Sequence, residues 1–198
     1  MPDYQQQELV FTDDRIAIRA TGTQVMMAWE RPLMKRMADI AAARRGDVLE
    51  VGFGMGLCAR AVQKHRPRSH TIVECHPQIA ARARAWAEHQ PNVRILEGFW
   101  QEVVHTLGSF DGICFDVFGG NNQRLEFFSH LGALLTPAGT ATLWLGDDAT
   151  LGADLAAVLR AQGFRWQMSR VAAVPPPDCS YSAVNTFHVP AIFRAATP

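Results

Sequence analysis

The stretch Asp47-Val-Leu-Glu-Val-Gly-Phe-Gly-Met-Gly56 runs a short apolar segment into three glycines at alternate positions. The segment reads as a buried strand, and Leu57 to Lys64 behind it has the pattern of a helix. Between them the glycines let the backbone take φ > 0 and let a ligand come close to it. Working outward, Thr71–Cys75, Val93–Leu96, Ile113–Val117 and Thr140–Leu145 also read as strands. Gln78–His89 and Arg124–Leu135 read as helices, Gln101–Leu107 as a short helical turn, and Leu151–Gln162 as a helix with one apolar stripe. Strand and helix in alternation predict an α/β fold, a doubly wound sheet with helices on both faces. After Gly163 the alternation stops. Phe164–Val174 and Ser182–Arg194 are extended runs joined through Pro175-Pro-Pro-Asp178, so they are expected as an antiparallel pair at one edge of a mostly parallel sheet. Ahead of the first strand lie a helix, Trp29–Ala43, and a polar segment of about 25 residues.

The chain has 198 residues, 48% hydrophobic and 19% charged, which suits one domain over residues 1–198. Lys+Arg and Asp+Glu both number 19. No overall field therefore draws the chain to nucleic acid or to an anionic membrane, and neither is an expected partner. Cys58, Cys75, Cys114 and Cys179 show no CxxC spacing, and the seven histidines show no metal-ligand spacing. The N-terminus, MPDYQQQELV, is polar and acidic and does not read as a signal peptide, so a reducing cytoplasm is the expected location.

Several nucleotide-binding classes place a glycine turn after the first strand. The dinucleotide fingerprint G-x-G-x-x-G fits Gly52 and Gly54 but requires glycine where Leu57 stands. No Gly-Lys-Ser/Thr follows, which excludes a phosphate-binding P-loop. What fits is E-x-G-x-G-x-G over Glu50, Gly52, Gly54 and Gly56, and this resembles motif I of the class I S-adenosyl-L-methionine-dependent methyltransferases. The resemblance implies a Rossmann-like fold and a loop that wraps the methionine part of the cofactor. Glu74, at the end of the second strand, is suited to the two ribose hydroxyls, because a carboxylate accepts two hydrogen bonds at once. Phe99 and Trp100 follow the third strand, where this superfamily holds adenine.

A narrower resemblance covers Val25 to Tyr181. Val25-Met-Met-Ala-Trp-Glu-Arg-Pro-Leu-Met34, Gly98-Phe-Trp100, Phe110-Asp-Gly-Ile113 and Val174-Pro-Pro-Pro-Asp-Cys-Ser-Tyr181 are similar to guanidinoacetate N-methyltransferase in order and spacing. Fungal protein-arginine δ-N-methyltransferases share the pattern. The resemblance implies that Glu30 and Asp116 grip the guanidino group and that Asp116 accepts its proton. It places Met26, Met34, Phe53, Met55, Cys75, His76 and Gln101 with the other cofactor-binding residues, Asp116 among them. Phe118, Gly146, Asp147 and Tyr4 join Glu30 and Asp116 around the acceptor. Residues 1–25 become a lid over the site; on the sequence alone they equally suit a disordered tail.

The chemistry agrees. A guanidinium is a cation without a free lone pair, and it must approach a cationic sulfonium. Such a site needs negative charge on the acceptor side and one proton acceptor. Two departures bear on the substrate. The family's Asp-Thr-Tyr-Pro is Asp116-Val-Phe-Gly119, and a small neutral segment is replaced by Leu145-Gly-Asp-Asp148. Two acids there favour an ammonium on the acceptor over guanidinoacetate's lone carboxylate, unless they only cap the next helix. The expected acceptor is a small guanidino compound, arginine-like, a natural-product intermediate, or guanidinoacetate. The alternatives are a protein arginine and a non-catalytic cofactor-binding subunit. The sequence leaves the oligomeric state open, a homodimer included.

Overall fold

The computed structural model describes residues 4–119 and 121–195. The polar N-terminal segment forms three short antiparallel strands, β1 (Leu9–Phe11), β2 (Arg15–Ile18) and β3 (Gln24–Met27), so its described residues are not a disordered tail. A 3-10 turn, Ala28–Glu30, then leads into α1 (Arg31–Ala41), where Pro32 sits in the first turn and gives up a backbone donor that would have no partner.

The main sheet follows: β4 (Asp47–Val51), α2 (Leu57–Lys64), β5 (Ser69–Glu74), α3 (Pro77–Ala87), β6 (Val93–Glu97) and α4 (Trp100–Val103). The chain then returns through β7 (Phe110–Phe115), α5 (Asn121–Ser129), α6 (Leu131–Leu134), β8 (Leu135–Leu143), α7 (Ala153–Ala161), β9 (Phe164–Ala172) and β10 (Thr186–Arg194). The strand order is β6-β5-β4-β7-β8-β10-β9. β6, β5, β4, β7 and β8 are parallel, and β10 is antiparallel to both β8 and β9. The doubly wound sheet with its antiparallel edge pair is therefore as expected.

The differences are local. The helix expected over Arg124–Leu135 begins at Asn121, breaks at His130 and is followed by one further turn. The fifth parallel strand starts at Leu135, five residues early, because Thr136-Pro-Ala-Gly139 stays extended; the register against β7 shifts there.

Two apolar layers hold the sheet. Met34, Met37, Val48, Leu57, Val62 and Cys114 join α1 and α2 to one face. Phe115, Phe127, Phe128, Leu155 and Leu159 join α5 and α7 to the other. Central strands covered on both faces need continuous apolar runs, which is why Val48, Leu49 and Val51 are all buried. The chain leaves β4 toward β5 on one side and later returns to β7 on the other. The carboxyl ends of β4 and β7 thus flank the switch point where open α/β sheets bind ligands. Among the described residues no helix is long and apolar enough to cross a membrane.

Candidate active site

The loop after β4 is shaped by contact. Gly52 has φ +91°, and a Cβ there would fall 1.8 Å from the Asp116 carbonyl oxygen. Its N–H donates to Val73 O (2.8 Å), while Asp116 N–H donates to Val51 O (2.9 Å). Only glycine lets the loop cross between the ends of β5 and β7 at this distance. Gly54 has φ +53°, and a Cβ there would lie 2.4 Å from Met26 Sδ, which also accepts the Met55 N–H (3.2 Å).

Around this loop opens a cavity of about 360 Å³. Of the residues expected for the cofactor, Met26, Met34, Gly52, Phe53, Gly54 and Glu74 line it. So do Cys75, Phe99, Trp100 and Asp116, and from the acceptor set Tyr4, Glu30 and Phe118. Glu50, Met55, Gly56, His76, Gln101, Gly146 and Asp147 stand outside the lining. Glu50 is buried beneath the sheet's end with Oε2 3.0 Å from His70 Nε2, and Gly56 caps α2 in a left-handed conformation. His76 Nδ1 accepts the Gln78 N–H, so Nε2 carries the hydrogen and donates to the Gln7 carbonyl. Burial pushes the His76 pKa down, keeping the ring neutral. Asp147 accepts a hydrogen bond from Ser182 Oγ (2.6 Å).

Glu74 is buried, yet each carboxylate oxygen accepts a backbone N–H: Oε2 from Phe53 (2.9 Å) and Oε1 from His76 (2.8 Å). Burial raises its pKa and these amides pull it back. These bonds fix the carboxylate, and the Gly54 and Cys75 amides also act on it. Trp100 is held edge-on to Phe115 and Phe127, and its Nε1 donates to Gln123 Oε1 (3.2 Å).

Two more carboxyls meet in the cavity. Glu30 enters from the 3-10 turn, 4% exposed; its Oε1 accepts the Met27 N–H (2.8 Å) and the Tyr181 hydroxyl (2.5 Å). Burial lifts its pKa to about 7, against the pull of those two bonds. Asp116 follows the last residue of β7. Burial, and next the charge of Glu30, lift its pKa to about 8, while Arg124 opposes the rise. Two anions in one desolvated space are costly, and a bound cation relieves both. Tyr181, Arg124, Trp144 and Gln123 also line the cavity. None of these four was assigned a role from the sequence; Tyr181 reaches Glu30 across 151 positions.

The N-terminal strands lie against the loop and beside the cavity. Leu9, Ile16 and Ile18 pack with Phe53 and Ile79, and Tyr4 sets its ring against His76 and Phe118 (centroids 4.9 and 4.8 Å). Gln5 Nε2 donates to Cys75 O (2.9 Å), and the Leu9 N–H to Gln78 Oε1 (2.8 Å). On the other flank Arg15 pairs with Asp178 (2.6 Å), and Gln24 bonds Asp178 O and the Ser180 N–H.

This sheet order, with a glycine loop at the switch point and an acid ending the next strand, defines a class I methyltransferase fold. Solved structures agree on the fold: a precorrin-6y C5,15-methyltransferase from Geobacter metallireducens (TM-score 0.61, 14% identity, covering 96% of this chain and 95% of that one) and a spermidine synthase from Thermotoga maritima (TM-score 0.64, 15% identity, 93% and 71%). The guanidinoacetate N-methyltransferase family model matches residues 2–143, and the chain belongs to that family. Similar curated proteins are the protein arginine N-methyltransferase 2 of Yarrowia lipolytica, 35% identical over 166 residues, and that of Saccharomyces cerevisiae, 33% over 164. The matches cover 77% and 76% of this chain but only 34% and 39% of those proteins, so the chain spans little more than a third of their length.

S-adenosyl-L-methionine is the methyl donor that the family and fold imply. The residues present fit it: the backbone cradle at Gly52 and Gly54 that a Cβ would fill, the doubly anchored Glu74 carboxylate for ribose hydroxyls, and the aromatic Trp100 wall for adenine.

Proposed function

We propose that this chain is an N-methyltransferase for the guanidino group of a small molecule. The observation that carries the reading is the pairing of Glu30 and Asp116 in one cavity with the glycine loop, both with raised pKa values that a bound cation would lower again. Bound S-adenosyl-L-methionine supplies an electrophilic methyl group. Everything else falls to the chain's own side chains. Glu30, oriented by Tyr181 and the Met27 amide, holds one edge of the guanidinium and offsets its charge. Asp116 binds the reacting edge and, held ionised by the bound guanidinium, accepts the proton the nitrogen sheds as it gains a fourth bond. The N-terminal strands and Tyr4 limit water in the cavity, which strengthens these charge interactions.

The named relatives favour a second reading, a protein arginine as acceptor. Incubation with methyl-labelled S-adenosyl-L-methionine and either free guanidino compounds or arginine-containing peptides separates the two. Label in the small guanidines supports the proposal. Label confined to peptides replaces it with the second reading, and label in neither refutes both.

A further inference from the structure

Arg124, the fourth residue of α5, is half-buried and lines the same cavity as Glu30, Glu74 and Asp116. It is the only lysine or arginine among the described residues that line it. Its charge has nearby acids: Asp148 first, then Asp116. Burial nevertheless outweighs them and pushes the guanidinium pKa down, so further negative charge would be welcome there. The two aspartates expected to greet an ammonium are thus otherwise engaged. Asp147 accepts from Ser182, and Asp148 acts on Arg124. The cavity combines acids suited to a cation with one cation suited to an acid.

We infer that Arg124 is a specificity residue that pairs with a carboxylate on the methyl acceptor. The acceptor is then a guanidino acid bound as a zwitterion, its guanidinium held by Glu30 and Asp116 and its carboxylate by the planar fork of Arg124, which matches a carboxylate with two parallel hydrogen bonds. This rests on the guanidino reading above and adds the anionic end of the substrate. It also reverses the preference expected from Asp147 and Asp148, since the recognised group is the carboxylate and an amino group is optional.

The test uses acceptors that differ only in that group: guanidinoacetate against guanidinoacetamide, and arginine against argininamide. Each is titrated calorimetrically into the protein saturated with S-adenosylhomocysteine, and each is assayed for methyl transfer. The wild type should prefer the acid of at least one pair by roughly 10- to 150-fold, the span of one charged hydrogen-bond interaction. Arg124→Met should erase that preference, and Arg124→Lys should keep part of it, with S-adenosylhomocysteine affinity retained as the sign of an intact fold. Equal binding of acid and amide by the wild type would overturn the inference, and this outcome needs no variant. A preference that survives in Arg124→Met would overturn the assignment to Arg124. Failure of the wild type to bind any of the four would instead overturn the guanidino reading itself.

Discussion

Tyr181→Phe isolates the electrostatic tuning of the acceptor site. The hydroxyl donates to Glu30 Oε1 at 2.5 Å, in a space where Glu30 is 4% exposed. A hydrogen bond to a charged group contributes about 1.5–3 kcal/mol, or roughly 1–2 pKa units at 1.36 kcal/mol per unit. In the wild type burial already raises Glu30 to about 7, and the Tyr181 bond holds it down. Phenylalanine keeps the ring beside Trp29 and removes only the donor, so the Glu30 pKa should rise further. A guanidinium pairs with the ionised carboxylate. At pH 7 the ionised fraction should drop from near one half to a tenth or less, and acceptor affinity should weaken roughly 5- to 50-fold. The loss should shrink toward a few-fold at about pH 9 to 10, where both proteins hold Glu30 ionised and the guanidinium keeps its charge. Calorimetric titration of guanidinoacetate or arginine into the protein saturated with S-adenosylhomocysteine, from about pH 6 to 10, reads this out. An equal loss at every pH, or none, would refute the reasoning.

Asp116→Asn should lower turnover on a guanidino acceptor at least about 10²-fold, the usual cost of losing a general base, while S-adenosylhomocysteine still binds. The same variant should change stability with pH. The folded-state pKa of Asp116 is raised to about 8 from 3.8, so its contribution to the unliganded fold is complete below about pH 4 and is lost as pH climbs toward 8. Melting temperatures of Asp116→Asn should therefore gain on the wild type across that window, and a constant difference would count against the assigned shift. Glu74→Gln should weaken S-adenosylhomocysteine by about 1.5–3 kcal/mol, because an amide can accept through only one of its two ends. Unchanged affinity by calorimetry in a folded variant would remove Glu74 from the ribose site.

Much of this architecture is legible because it is local. β4 and α2 fall on their expected residues, since an apolar run, a glycine loop and an apolar helical stripe need no distant information. The antiparallel edge pair follows from two extended runs with no helix between them. The N-terminal strands are not legible. They are three or four residues long, and their side chains become a surface only against Phe53 and Ile79 of another layer. Much of what fixes them is polar, with Gln5, Gln24 and Gln78 bonding backbone groups, so the segment reads as loop. Glu30 and Asp116 were recognisable through the family resemblance and Glu74 through its place at the end of a strand after the glycine loop, and all three line one cavity. No role was assigned to Tyr181, although it ends one of the motifs that carry the resemblance, or to Arg124, which nothing local marks. Their significance comes from tertiary proximity to buried acids, Tyr181 to Glu30 and Arg124 to Asp116 and Asp148.

The central claim is that the methyl group goes to a guanidino nitrogen. Its most direct test is fragmentation mass spectrometry of the product formed from methyl-labelled S-adenosyl-L-methionine and a small guanidino acceptor. The account predicts label on fragments that contain the guanidino carbon and nitrogens, and its loss to the level of the uncatalysed control in the double variant Glu30→Gln, Asp116→Asn. Label on a carboxylate, an α-amino group or carbon, or label that persists undiminished in that double variant, would contradict it.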